Sequence, residues 1–430
     1  MAVLLFSILF ILFILGFPVA FSMGFSSIFA MSSTDIPIQV AIQRIVSTLN
    51  SFPLMAIPFF ILAGNLMEAS GISQRLINAA NALVGRLTGG LAIVSVLTAM
   101  FFASISGSSA ATVAAVGGIL IPAMVKRGFP KNFATSVQAA SGELGVIIPP
   151  SIPMIIYALS AGTAISIGDL FMAGVVPGIL IGGSLMLLIF FISKKKGYGL
   201  NNDVKDELVM NEGRFTAFRK ALLPLLMPVL ILGGIYGGIF TPTEAAAVAV
   251  GYAFIIGAFV YRSLNLKNIM QALKNSALST AIIMIIIGNA GLFGWVLTAE
   301  QVPDKVAHFF LSISDSPVIF LILVNILLLF VGMFMETGAS IVILAPILTP
   351  VAMTLGVDPL HFGIIIIVNL AVGMLTPPVG VNLFVASSIA GLRIEHLIKP
   401  LIPFYLVLLL DIIVISYVPQ ITLWLPHILK

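Results

Sequence analysis

The sequence predicts an all-α integral membrane protein made of two inverted repeats, and three observations carry that expectation. Of the 430 residues, 60% are hydrophobic and only 8% are charged, against about 25% charged in a soluble chain. No soluble core could absorb that much apolar surface. The apolar runs are long and lack period-two alternation, which favours helices over a membrane β-barrel. Finally, the breaks in those runs recur at a nearly fixed offset. Pro18 matches Pro242, Asn65 matches Asn289 and Pro122 matches Pro346, each 224 positions apart, while Pro149-Pro150 and Pro377-Pro378 are 228 apart. The Gly-Asn steps at 64–65 and 288–289 match in sequence as well. So many matches in order are a repeat signal rather than coincidence.

The first repeat covers 1–193. Two short apolar runs, 2–16 and 18–32, are separated by Gly16-Phe17-Pro18, and either two short spans or one long helix would fit them. At about 15 residues each they fall short of the ~20 that a span needs. A polar connection, 33–51, carries Asp35 and Arg44 and leads to a span at 52–68. Residues 70–88 have an amphipathic pattern suited to a helix lying on the membrane surface. Residues 89–125 form a hairpin that turns at 105–109, 131–162 form a span broken at 145–150, and 168–193 span again. The stretch 194–220, with seven basic and four acidic side chains, is a charged linker.

The second repeat, 221–418, follows the same order. Residues 221–239, 245–261 and 275–298 span, and 303–313 are amphipathic. A hairpin at 317–356 turns at 335–340, a span at 359–391 is broken at 373–378, 401–418 span, and 419–430 are a tail. Each repeat thus has five crossings, one re-entrant hairpin and one broken helix. Five is odd, so the second repeat starts on the opposite side and the repeats are inverted. The positive-inside rule agrees: with the linker cytoplasmic, 17 of the 20 Lys and Arg residues fall inside, and only Arg44, Lys305 and Lys430 outside. Both termini then lie on the outer face.

A helix that ends in mid-membrane frees backbone groups that have no water to bond. Four such breaks, in matching pairs, are the expected place for a solute and its coupling ions to meet. Carbonyls around Ser104–Gly107 and Gly142–Val146, helped by serine hydroxyls, suit a hard cation such as Na⁺. The N–H groups of Ser108, Ser109 and Ala110 face the other way, toward an anion. Glu336–Gly338 and Gly373–Leu375, with Thr337, Ser340 and Thr376, offer the same parts. The bland alternative is small-residue helix packing and simple proline kinks. Four intramembrane carboxylates stand out. Glu244 is expected to cap a helix; Glu143 and Glu336 could cap, or titrate in a proton-coupled process; Asp411 has no assigned role.

Composition excludes several classes. There is no cysteine, and the net charge of +4 is a membrane-flanking excess rather than a nucleic-acid footprint. The start, Met-Ala-Val-Leu-Leu-Phe, lacks a basic leader and reads as a first membrane helix. No G-x-x-x-x-G-K-[ST] or H-E-x-x-H occurs. The histidines at 308, 361, 396 and 427 are scattered near loops and expected to face solvent. No nucleophile has a plausible partner, so the chain is not expected to be an enzyme.

Three stretches resemble the large membrane subunit (DctM-like) of TRAP transporters, the tripartite ATP-independent periplasmic transporters of bacteria and archaea. They are Gly238-Ile239-Phe240-Thr241-Pro242-Thr243-Glu244-Ala245, the Ser104–Ser109 tip with the alanine-rich run after it, and Gly145–Pro153. The resemblance covers essentially the whole chain. It implies Na⁺-driven uptake of a small organic anion, such as a C4-dicarboxylate, sialic acid or another sugar acid, across the bacterial inner membrane. It also implies a periplasmic binding protein that delivers the solute, a separate small four-helix membrane subunit, a lipid surround, and an elevator-type fold. In that fold the hairpins and broken helices slide against a scaffold formed by 1–68 and 221–298. Carried over, the solute positions are Ser106, Ser108, Ser109, Pro149, Pro150, Thr337, Ser340, Thr376, Pro377 and Pro378. The Na⁺ positions are Ser104, Ser106, Gly107, Gly142, Gly145, Thr337, Gly338, Gly373 and Thr376. A partner-free Na⁺- or H⁺-coupled dicarboxylate carrier of the same class is the competing expectation. A channel fits less well, because the polar groups cluster at tips and breaks instead of lining a pore.

Overall fold

Every regular element among the described residues is helical. The structure, a computed structural model, describes residues 1–33, 36–199, 214–313 and 316–429. The centre of the charged linker, Asp35 and Lys430 lie outside the described residues.

The first half contains α1 (Ala2–Ile14), α2 (Val19–Ser32), α3 (Gln39–Leu49), α4 (Ala56–Ala69), α5 (Ile72–Val84), α6 (Gly90–Ser106) and α7 (Ser109–Lys126). It continues with α8 (Lys131–Gly142), α9 (Leu144–Ile147), α10 (Ile152–Ser160) and α11 (Ile167–Lys196). In the second half come α12 (Arg214–Tyr236), α13 (Pro242–Ile255), α14 (Leu266–Ala299), α15 (Val302–Ile313), α16 (Pro317–Gly332) and α17 (Thr337–Thr354). It ends with α18 (Pro359–Gly373), α19 (Val381–Ala390), α20 (Glu395–Tyr417) and α21 (Gln420–Ile428). Each half therefore carries a hairpin (α6–α7, α16–α17), a broken helix (α8–α10, α18–α19) and a long closing helix (α11, α20).

Among the described residues, eight helices are long and apolar enough to cross a membrane. Lys131–Ile147 and Ile152–Ser160, bent by 46° at their break, make a ninth when counted as one span. Residues 2–32 form two helices, not one, with Pro18 as the N-cap of the second. At 13 and 14 residues each is about 20 Å long, shorter than a ~30 Å hydrocarbon core.

Several boundaries differ from the sequence expectation, and α12 begins at Arg214, within the expected linker, rather than at 221. The polar connection 33–51 contains helix α3, whose Ile42, Ile45, Val46 and Leu49 recur at helical spacing and whose Arg44 guanidinium lies 5.1 Å from the Trp295 ring centre. Helix α14 begins at Leu266 rather than 275 and runs for 34 residues. The tail contains α21. The first break lies at 148–151, so Gly145 is still helical.

Packing divides the chain into two groups of helices. α1 packs on α2, α2–α4 pack on α14 and α4 also on α13, while α6–α11 pack with α17–α21; the groups touch where α4 meets α6 and α14 meets α17. Caps fix the ends that matter. Thr241 and Glu244 form a reciprocal capping box at α13, and Asp358 accepts from the N–H groups of Leu360 and His361 at α18.

Candidate solute and cation site

The first hairpin turns in two residues. Gly107 ends α6 at φ 63°, a left-handed conformation that glycine adopts without a Cβ clash, and Ser108, extended, opens α7. The last-turn carbonyls of Ser104, Ile105 and Ser106 are left without intrahelical donors. On the other arm, Ser108 Oγ accepts from the Ala111 N–H at 3.4 Å, and the N–H groups of Ser109 and Ala110 have no partner within the helix. Thr112 braces the tip, donating to Ser108 O at 2.8 Å and lying 3.2 Å from Ser106 Oγ.

That tip rests on the first break. The Ile152 N–H donates to Gly107 O at 3.4 Å. A Cβ on Gly145 would stand 2.4 Å from Ser108 O, and one on Gly107 2.9 Å from Pro150 O. The two glycines let backbone approach backbone.

The second half repeats the arrangement with different chemistry. The Gly380 N–H donates to Met333 O at 3.3 Å, as Ile152 does to Gly107. Gly332 and Gly373 cross so closely that a Cβ on Gly373 would lie 2.6 Å from the Gly332 Cα. Both Pro-Pro bonds, Pro149-Pro150 and Pro377-Pro378, are cis. At this tip, however, Glu336 caps α17 with its own carboxylate, accepting from Gly338 at 2.8 Å and Ala339 at 3.2 Å. Thr337 Oγ1 turns to Met374 Sδ at 3.5 Å, and Ser340 Oγ to Glu336 O at 3.0 Å.

Both tips open on one cavity of about 840 Å³. Its floor is Ser106–Ala111, Val146, Ile152, Met335, Glu336, Gly338, Met374 and Val381, and its facing wall is α2, α4 and α14. Of the sequence candidates, Ser106, Gly107, Ser108, Ser109 and Gly338 line it. Ser104, Gly142, Gly145, Pro149, Pro150, Thr337, Ser340, Gly373, Thr376, Pro377 and Pro378 are not among its lining residues and form the layer of tips and breaks around it. The residues that sequence reasoning missed are on the facing wall. Asn65, the Asn of the repeated Gly-Asn step, donates to Ser276 Oγ at 2.8 Å beside the cavity. Glu68 also lines it, at the far end of a span where it reads as a flanking charge. No Lys, Arg or His is among the lining residues.

The oxygen donors at the first tip fit Na⁺. Three unpaired carbonyls, the Ser106 hydroxyl and the nearby Pro150 carbonyl are hard neutral ligands of the kind that replace an alkali ion's water. The second tip has less to offer, since Met333, Gly373, Met374 and Leu375 carbonyls each already accept one donor.

The remaining carboxylates are placed as follows. Glu244 caps α13. Asp411 accepts from Ser184 Oγ at 2.6 Å, tying α20 to α11. Glu143 is fully buried and accepts from Asn382 Nδ2 at 3.1 Å. His361 departs from expectation: it is buried, with Thr422 Oγ1 at 2.7 Å and Ser416 O at 3.2 Å, because α21 folds back over the start of α18.

Comparison with known proteins adds to this geometry. The chain is 43% identical over 441 residues to the C4-dicarboxylate TRAP transporter large permease protein DctM of Rhodobacter capsulatus, covering 100% of this chain and 99% of that one. It is 39% identical to the sialic acid TRAP transporter large permease protein SiaM of Vibrio cholerae, covering 96% and 95%. The isethionate TRAP transporter permease protein DctMQ of Oleidesulfovibrio alaskensis is 45% identical over 413 residues, and there the chain spans 96% of itself but 64% of the relative. Among solved structures, the Alcanivorax borkumensis YdaH transporter superposes with a TM-score of 0.62 at 15% identity, covering 88% of both chains, a likeness of fold. The family model for the DctM component of tripartite ATP-independent periplasmic transporters matches residues 6–421; the chain belongs to that family.

Proposed function

We propose that this chain is the large permease of an inner-membrane importer that takes up a small organic anion together with Na⁺. The relatives' names point to C4-dicarboxylates and acidic sugars as solutes. The observation that carries the coupling is the charge of the cavity. An anion entering it meets Glu68 and Glu336 and no basic side chain. Neutral dipoles at the first tip, the N–H groups of Ser109 and Ala110 and the Ser108 and Ser109 hydroxyls, can orient a carboxylate. They do not neutralise it in an apolar cavity, where an uncompensated charge is costly. Bound Na⁺ behind the tip supplies the missing positive charge, so solute and ion favour each other's binding.

The solute would sit at the first tip, because Glu336 already occupies the helix start at the second. The division of packing supports an elevator movement, in which the tips and breaks travel as one body against a scaffold of 1–68 and 221–298. Both termini face the periplasm in this reading. A periplasmic binding protein delivers the solute, and a separate small membrane subunit covers the scaffold.

The test is uptake into proteoliposomes that hold this chain with its small subunit, using labelled dicarboxylates and sugar acids. Uptake that needs both an inward Na⁺ gradient and the binding protein is the expected result. Uptake on a pH gradient alone would overturn Na⁺ coupling, and uptake without binding protein would identify a partner-free carrier.

A further inference from the structure

Away from the cavity wall, Glu143 and Asn382 join one broken helix to the other by a side-chain hydrogen bond. Glu143 joins α8 to α9, and Asn382 lies in the first turn of α19. Both are 0% exposed. Asn382 Nδ2 donates to Glu143 Oε1 at 3.1 Å, and the other oxygens, Glu143 Oε2 and Asn382 Oδ1, are buried with no hydrogen-bond partner. Among the described residues, no Lys or Arg is paired with this carboxylate. Two orphaned acceptors on one hydrogen-bonded pair are unusual, since buried polar atoms are nearly always bonded. A carboxylate held by a single amide N–H is costly in a low-dielectric interior.

Orphaned oxygens of one carboxylate and one amide are two of the hard ligands that a small hard cation takes. In the second break, Leu375 O accepts from the Tyr405 hydroxyl of α20, and Thr376 Oγ1 donates to Val372 O. Met374, which accepts from the Asn382 N–H, and Val381, next to Asn382 in the chain, line the main cavity. The Asn382 N–H donates to Met374 O at 3.3 Å, fixing the amide's backbone beside the break.

We propose that Glu143 and Asn382 hold one monovalent cation of Na⁺ size between the two halves, in addition to ions at the tips. Its charge cancels that of Glu143, and its ligands come from both breaks, so binding draws α8–α10 and α18–α19 together. The binding itself does not depend on the proposed transport reaction; only the ion's part in coupling rests on that reading.

The experiment is equilibrium binding of ²²Na⁺ to the purified complex of this chain with its small subunit, with choline holding ionic strength. Glu143→Gln keeps the size of the side chain and removes its charge. It is expected to bind one Na⁺ fewer than wild type, or to weaken one site about 100-fold, the loss that follows from uncoupling a buried charge from its partner. Gly118→Ala, outside the cavity lining and with nothing within 4 Å of the added carbon, is expected to leave the Na⁺ stoichiometry unchanged. Asn382→Asp adds a second carboxylate and is expected to admit Ca²⁺, read as Ca²⁺-dependent thermal stabilisation that wild type lacks. A structural amide–carboxyl pair would not produce that gain. Unchanged Na⁺ stoichiometry in Glu143→Gln with no Ca²⁺ effect in Asn382→Asp overturns the proposal and leaves Glu143 carrying a proton. If Glu143→Gln does not fold, the Asn382→Asp measurement decides alone. Because neither readout involves uptake, failure here is separable from failure of Na⁺-coupled transport.

Discussion

In the proposed reading, anion recognition turns on Ser109. It is 4% exposed, faces the cavity and has no side-chain hydrogen bond, while its neighbours Ser106 and Ser108 are engaged in bracing the tip. A hydroxyl that bonds a charged ligand contributes roughly 1.5–3 kcal/mol. Ser109→Ala is therefore expected to raise the KM for solute about tenfold or more with little change in the turnover of bound solute, read from initial uptake rates. Gly145 acts differently, by being small. Its Cβ would meet backbone at Ser108 O, which cannot rotate away. Gly145→Ala is expected to cost about 1–3 kcal/mol by overpacking, lowering the thermal midpoint and stopping uptake. Gly118→Ala, in the same hairpin with nothing within 4 Å of the added carbon, is the control and should do neither.

At the scale of elements, the caps separate stability from transport. The Thr241–Glu244 box closes the start of α13 far from the tips. Thr241→Ala is expected to cost about 1 kcal/mol in thermal unfolding and to leave Na⁺ dependence untouched. Glu300, just past α14, accepts the Ala2 N–H at 3.1 Å, and that bond holds its carboxyl below the ordinary 4.5. A depressed carboxyl stabilises the folded state above its ordinary value and loses that contribution as pH falls through the lower, folded value. The docking of α1 on α14 should thus weaken below pH about 4.5, and Glu300→Gln should remove that part of the pH dependence. The hairpins and breaks were legible in the sequence because Gly, Ser and Pro interrupt otherwise unbroken apolar runs. The start of α14 and the short helices α3 and α21 were not, since their polar content resembles a connection and only packing on other helices makes them regular. Nor was the partnership of Glu143 with Asn382 visible: the two are 239 positions apart and meet only when the breaks of both halves face each other. Glu68 was obscured in another way, as a charge at a span's end that the fold turns toward the cavity.

For the whole molecule, the question is whether the tips move against the wall that faces them. Gly64 in α4 sits where its Cβ would lie 3.4 Å from the Ser106 Cα, across the boundary between the two packing groups. Gly24 in α2 sits 3.6 Å, Cβ to Cβ, from Asn289 in α14, and both of those helices belong to the wall. The second separation falls in the range of about 3.5–4.5 Å between the Cβ atoms of a disulfide, and the first brings the two backbones close enough for a cross-link to be tried. The chain contains no cysteine, so an introduced pair reacts only with itself. Oxidising Gly64→Cys/Ser106→Cys is expected to abolish uptake, with recovery on reduction to the rate of the same reduced protein. Oxidising Gly24→Cys/Asn289→Cys is expected to leave uptake unchanged, because it joins two parts of one body. Equal uptake by the oxidised and reduced forms of the first pair would mean that solute crosses without the tips leaving α4. Loss of uptake with the second pair would mean that the wall itself must flex, and the fixed scaffold would be the wrong description.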